Sequence, residues 1–238
     1  PGIILLNGFH STMRKSLKSR RLHSFCRTRG IPFLTFDHEA HGESSGTFEL
    51  FTIGRGREDV AAFLDSVADP TRRHVLVGSS IGLWFALLAA RDRPDRVAGI
   101  VGLGGAVNFT KRVLESMPAA ERERYASWAA SRGQTDEDVV EGEAWTRRSA
   151  YFEGGMKYGW RMLLDGPNHN IVAPWDVGGV PVELLHGKDD ADVSIDIAWY
   201  LGKAVRSTVS LRLIAGAEHR LSRETDLVEL EAAVDRVL

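Results

Sequence analysis

Residues 75–90 read VLVGSSIGLWFALLAA, two uncharged apolar runs parted by Gly-Ser-Ser-Ile-Gly. The first run suits a buried strand and the second a buried helix, so the chain must turn sharply between them. A strand buried on both faces and followed by a helix belongs in a parallel sheet, whose long crossovers cover it with helices. The same rhythm recurs along the chain. Strands are predicted at 3–6, 31–36, 73–77, 97–103, 180–185 and 209–214, with helices at 12–29, 53–67, 81–91, 195–205 and 224–238. The fold class is therefore α/β, a mostly parallel sheet with helices on both faces.

One segment breaks the rhythm. Residues 108–176 hold four of the six tryptophans (Trp128, Trp145, Trp160 and Trp175) together with Tyr125, Tyr151, Phe152 and Tyr158. A largely helical cap inserted into the core is the natural reading, dividing the chain into core (1–107), cap (108–176) and core (177–238). Its aromatic residues either form the cap's own small core or line an apolar pocket.

Composition narrows the function. With 238 residues, 43% of them apolar, the chain can bury one large core. Thirty basic and 32 acidic residues nearly cancel, which removes the electrostatic case for nucleic acid as a partner. Arg91 and Asp92 close the longest apolar run, so no membrane-spanning helix is predicted. The single cysteine, Cys26, cannot form an internal disulfide and reads as a buried helical thiol in a soluble, intracellular protein. That means cytoplasm for a bacterial source and the mitochondrial matrix for a eukaryotic one. The chain begins Pro-Gly-Ile-Ile with no initiator methionine, so further residues are expected upstream.

Gly78, Ser80 and Gly82 form G-x-S-x-G, the spacing of a strained strand-to-helix turn that lifts one hydroxyl clear of a sheet. Ligands of open parallel sheets bind beyond the carboxyl ends of the strands, where this turn lies. Ser79 competes as a hydroxyl but lacks the flanking glycines. Ser80 is thus the candidate nucleophile, and the Ile81 N–H, at a helix N-terminus, a candidate oxyanion donor. A serine needs a base to take its proton and a carboxylate to fix that base's tautomer. Asp190, in HGKDD, and His219, in AEHR, each follow a predicted strand and fall in the order serine, acid, base. Asp189 and Asp192 are alternative acids. The loop LNGFHST at 6–12 offers the Phe9 N–H as a second oxyanion donor, and His10, Trp84 and Trp160 are candidate substrate contacts.

LNGF at 6–9, FDHEAHGESSG at 36–46, GSSIG at 78–82, HGKDD at 186–190 and EHR at 218–220 resemble the α/β-hydrolase superfamily along essentially the whole chain. PGIILLNGFHSTM and RPDRVAGIVGLGGA are similar, more narrowly, to the mitochondrial palmitoyl-protein thioesterase and acyl-glucuronide esterase group and its bacterial relatives. The resemblance implies an α/β-hydrolase fold with one or two antiparallel strands before Pro1. It also implies a Ser80–Asp190–His219 triad, oxyanion amides from Phe9 and Ile81, and no metal or organic cofactor. Implied substrates are acyl esters and thioesters, S-palmitoyl cysteine among them. Asn7 stands where proline or histidine is usual, and Leu83 where close relatives often carry a second glycine. Leu83 with Trp84 is expected to crowd the acyl pocket. Asp37 and Ser44 are expected to pin a loop that Gly42 allows to turn, with His41 structural.

The leading function is hydrolysis of acyl esters or thioesters through an acyl-enzyme on Ser80. Alternatives are hydrolysis of small polar esters or of a carbon–carbon bond by the same triad, and a non-catalytic subunit of a larger assembly that keeps only the fold. A helix rich in Arg and Lys at 14–29, with no acidic residue between His10 and Phe36, is a candidate docking surface for an acidic protein partner or anionic lipid; a solvated helix face is the alternative.

Overall fold

The computed structural model describes residues 1–66, 71–132, 143–149 and 152–238. Val67 and Tyr151, named above, lie outside the described residues. Strand and helix alternate through β1 (Gly2–Leu6), α1 (Leu17–Arg29), β2 (Phe33–Phe36), α2 (Ile53–Ser66), β3 (His74–Ser79), α3 (Ile81–Asp92) and β4 (Val97–Leu103). Then come α4 (Thr110–Ser116), α5 (Ala119–Arg132), β5 (Ala144–Arg147), β6 (Met156–Gly159), α6 (Trp160–Asp165) and the two-residue β7 (Trp175–Asp176). The alternation resumes with β8 (Val182–Gly187), α7 (Ile195–Ala204), the two-residue β9 (Val205–Arg206), β10 (Val209–Ile214) and α8 (Glu224–Val237).

Six strands form one parallel sheet in the order β2-β1-β3-β4-β8-β10. The chain leaves β1 for β2 on one side and returns to β3 on the other. The carboxyl ends of β1 and β3 therefore meet at a topological switch point, where such sheets hold their ligands. Side chains alternate across the sheet: Ile3, Leu5, Val75 and Val77 pack under α1 and α8, whereas Ile4, Leu6 and Leu76 pack under α2 and α3. Every residue of α3 from Ile81 to Ala90 is buried, as its uninterrupted apolar sequence requires.

Several boundaries move from their predicted places for local reasons. Helix α1 starts at Leu17 because Ser16 caps it, its hydroxyl accepting from Ser19 N at 3.2 Å. Pro32 and Pro181 have no N–H to give a ladder, so β2 and β8 begin after them. Their carbonyls still serve the sheet, accepting from Ile3 N (2.8 Å) and Ile100 N (2.9 Å). The stretch from β4 to β8 gives no strand to the large sheet, but it is less helical than expected, because β5 and β6 pair antiparallel. Trp145 and Tyr158 sit directly opposite each other there, with ring centroids 6.0 Å apart, an aromatic cross-strand pair that favours a hairpin over a helix.

The basic helix α1 is partly neutralised from within. Arg21 meets Glu224 at 2.6 Å and Glu231 at 2.7 Å, and Arg29 meets Asp235 at 3.5 Å, all three acids on α8. Cys26 is buried in the same helix, and burial pushes its thiol up to about 11. No helix of the described residues is long and apolar enough to cross a membrane.

Candidate active site

Ser80 sits between β3 and α3 at φ 55°, ψ −118°, a conformation that L-residues avoid. The flanking glycines explain how it is held. A Cβ at Gly78 would collide with the Leu83 backbone, and one at Gly82 with the Leu6 carbonyl of β1. Hydrogen bonds lock the turn from both sides: Ser80 N donates to Leu103 O at 2.9 Å, while Ser80 O accepts from Leu83 N and Ala106 N, each at 3.1 Å.

Loops from β8 and β10 bring the partners. Ser80 Oγ lies 3.1 Å from His219 Nε2, and His219 Nδ1 lies 2.8 Å from Asp190 Oδ2. The carboxylate places the imidazole proton on Nδ1 and leaves Nε2 free to accept from the serine hydroxyl. Asp190 Oδ1 accepts from Asp192 N (2.9 Å) and Val193 N (2.8 Å), which fixes the carboxylate plane. Burial alone would raise the Asp190 carboxyl, but its bonds from His219 and the two amides outweigh that and hold it below the usual carboxylate range. Of the alternative acids, Asp192 faces Arg147 at 3.5 Å, and Asp189 makes no bond to His219. His186, overlooked in the sequence, braces this loop: its Nε2 donates to Val193 O at 2.9 Å and lies 3.5 Å from Asp190 Oδ2. Its place four residues before Asp190 in HGKDD was the available signal.

The Ile81 N–H opens α3, and the Phe9 N–H lies in the loop after β1; neither has an acceptor among the described residues. Both residues border a cavity of about 730 Å³ that also contains Ser80 and His219. Phe109, Val113, Phe152, Met156 and Tyr158 give it an apolar wall drawn from the segment between β4 and β8. His10 belongs to this cavity too, held by its Nε2–H to Lys157 O at 2.8 Å and by stacking on Phe48 with centroids 4.6 Å apart.

Two expected contacts lie elsewhere. Trp84 is fully buried on α3, its indole N–H donating to His169 O at 2.8 Å, because α3 is covered on all sides. Trp160 is buried against Tyr125 and Trp128, and all three join the large core that covers α2 and α3. Neither tryptophan borders the cavity. Leu83 does not crowd it either: its side chain turns the other way and packs on Gly102 and Gly105, where any Cβ would strike it.

The loops behind the site are pinned as their residue types suggest. Asn7 donates to Thr35 Oγ1 (3.1 Å) and Phe36 O (3.2 Å), tying the Phe9 loop to β2. The Asp37 carboxylate accepts from Met13 N (2.7 Å) and Glu43 N (3.2 Å), and Ser44 Oγ donates to the Asp37 carbonyl at 2.5 Å. His41 is buried against Phe9 and Phe51; burial lowers its imidazole to about 4 despite the bond from Nδ1 to Glu39 O. The described residues contain no cluster of three or more His, Cys, Asp or Glu that would hold a metal ion.

Comparison with known proteins agrees with this architecture. The mitochondrial palmitoyl-protein thioesterase ABHD10 of Bos taurus is 28% identical over 243 residues, spanning 100% of this chain and 73% of its own length. The solved structure of mouse alpha/beta hydrolase domain-containing protein 10 superposes with a TM-score of 0.84 at 28% identity, covering 100% of this chain and 89% of its own. A crystal structure from Agrobacterium vitis S4 gives 0.86 at 28% identity, covering 100% and 87%. The sequence profile of one hydrolase family, described as serine aminopeptidase S33, matches residues 2–226, and with the parallel sheet and the serine elbow it establishes that this chain belongs to that family of α/β-hydrolases.

Proposed function

We propose that this protein hydrolyses acyl esters or thioesters, with Ser80 as nucleophile, His219 as base and Asp190 as the group that orients it. The observation that carries the reading is the continuous chain from Ser80 Oγ through His219 to Asp190, opening into an apolar cavity. Ser80 Oγ attacks the acyl carbonyl while His219 Nε2 takes its proton, and the N–H groups of Phe9 and Ile81 receive the developing oxyanion. The carbon–oxygen or carbon–sulfur bond then breaks, and the leaving group departs with the proton from His219. Water, deprotonated by His219, attacks the acyl-Ser80 ester, which releases the carboxylic acid and returns the serine.

In this reading residues 108–176 act as a cap, and Phe109, Phe152, Met156 and Tyr158 receive the acyl chain. A cavity of about 730 Å³ falls within the ~300–1,000 Å³ usual for small-molecule sites. The thioesterase names of the relatives support a medium or long acyl chain. A non-catalytic role has less support, since each triad member is within hydrogen-bond reach of the next.

Labelling with a fluorophosphonate probe tests the reading. Wild-type protein should label and Ser80→Ala should not, with His219→Ala and Asp190→Ala strongly slowed. A chain-length series of esters and thioesters should then show turnover of medium or long acyl groups. Absence of labelling in folded wild-type protein would overturn the proposal.

A further inference from the structure

The same cavity has a second, opposite character. Beside its apolar wall it is bordered by Lys15, Lys18, Arg112, Arg147 and Arg220, against a single acid, Asp192, among the described residues. These cations come from four separate places: the turn into α1 and its first turn (Lys15 and Lys18), α4, the end of β5 and the loop that carries His219. Arg147 is matched by Asp192 at 3.5 Å, while Lys15 and Arg112 have no acidic partner within 4 Å among the described residues. Lys18 Nζ donates to the Arg220 carbonyl, so it gains a neutral acceptor rather than a counter-charge. No acidic residue lies in the first turn of α1. Like charges gathered at one cavity repel each other and persist where a ligand supplies the missing negative charge.

Building on the reading of the site as an acyl hydrolase, we propose that its leaving group is polyanionic: a thiol carrying several phosphate charges, as in acyl-coenzyme A thioesters. A single carboxylate needs one guanidinium. Cations spread over four places suit charges spread along a ligand. The cations border the concave site itself, together with hydroxyls of Ser11, Ser16 and Ser116, which favours an enclosed small molecule over an acidic polypeptide. Burial and the nearby Arg220 charge lower Lys18 to about 8, against an opposing pull from Asp226. The acyl chain would lie along Phe109 and Tyr158, and the phosphates would face Lys15, Lys18 and Arg112.

The test is a selectivity ratio: kcat/KM for octanoyl-coenzyme A divided by kcat/KM for octanoyl-N-acetylcysteamine, the same acyl group on an uncharged thiol. Arg112→Glu and Lys15→Glu should each lower that ratio about tenfold, and added salt should lower it in wild type. Lys203→Glu, the same charge change at an exposed site on α7, should leave it unchanged. In wild-type protein, free coenzyme A should slow fluorophosphonate labelling of Ser80 where pantetheine does not, a readout that needs no variant. A ratio that moves with neither reversal nor salt would overturn the proposal. So would charge-reversal losses confined to an acyl glucuronide, which has one carboxylate, or to an S-acylated acidic peptide. Labelling of Ser80 without thioester turnover would refute the polyanionic leaving group and spare the hydrolase reading; loss of labelling in folded protein would refute both.

Discussion

Asp190→Asn is the sharpest probe of the proposed triad, because the structure dictates which way the new amide must face. Oδ1 of Asp190 accepts from two backbone amides, Asp192 N at 2.9 Å and Val193 N at 2.8 Å, and these need a carbonyl oxygen. An asparagine therefore keeps its oxygen on that side and turns its NH₂ toward His219 Nδ1, now 2.8 Å from a carboxylate oxygen. Two donors cannot face each other, so Nδ1 must become the acceptor and the proton must move to Nε2. Nε2 then cannot accept from Ser80 Oγ. The expected loss is about 10⁴-fold in kcat, or roughly 5 kcal/mol at 1.36 kcal/mol per decade. Acylation would be followed by single-turnover release from a p-nitrophenyl ester, with thermal unfolding to show that the loop still closes. A folded Asp190→Asn protein within tenfold of wild type would refute the claim that this carboxylate fixes the imidazole tautomer.

Three further outcomes follow from the packing. Gly82→Ala places a methyl against the Leu6 carbonyl and should cost about 1–3 kcal/mol of stability in urea unfolding, with activity falling as the Phe9 loop shifts. His41 is held neutral in the fold, with its value lowered to about 4, while the unfolded chain protonates near 6.5. The unfolded state therefore binds more protons between these values, so stability should decline as pH falls from about 6.5 to 4, by an order of 3 kcal/mol. His41→Gln should flatten that slope in denaturant titrations across the window, and an unchanged slope would disprove the assignment. Phe109→Ala enlarges the apolar wall and should shift the preferred acyl length upward in an ester series, whereas Trp160→Ala, away from the cavity, should lower the unfolding midpoint without shifting that preference.

The central sheet was legible because its strands are short apolar runs closed by local punctuation, and the errors were local too, confined to places such as Pro32 and Pro181. Ser80, Asp190 and His219 were readable for a related reason. Each sits just past the end of a strand, so chain order alone placed them at one edge of the sheet. The cavity walls resisted such reading. Phe109, Met156 and Arg112 border the cavity beside Ser80 through the tertiary packing of a segment that has no strand in the large sheet. Trp84 and Trp160 were drawn to the site by residue type, but only packing decides which large aromatic side chains turn inward. Likewise the basic character of α1 looked unopposed, because Glu224, Glu231 and Asp235 lie some 200 positions further along the chain.

The order in which the sheet is assembled has a consequence for synthesis. The strained serine turn draws on β1, β3, β4, the glycines around it and the Ala106 amide, all within residues 2–106. The proposed acid and base arrive at positions 190 and 219, on loops beyond strands added at one edge. A chain still emerging from the ribosome can therefore carry a formed elbow while its hydroxyl has no proton acceptor. On the proposed reading the serine is made first and is armed only once His219 has followed it into the fold.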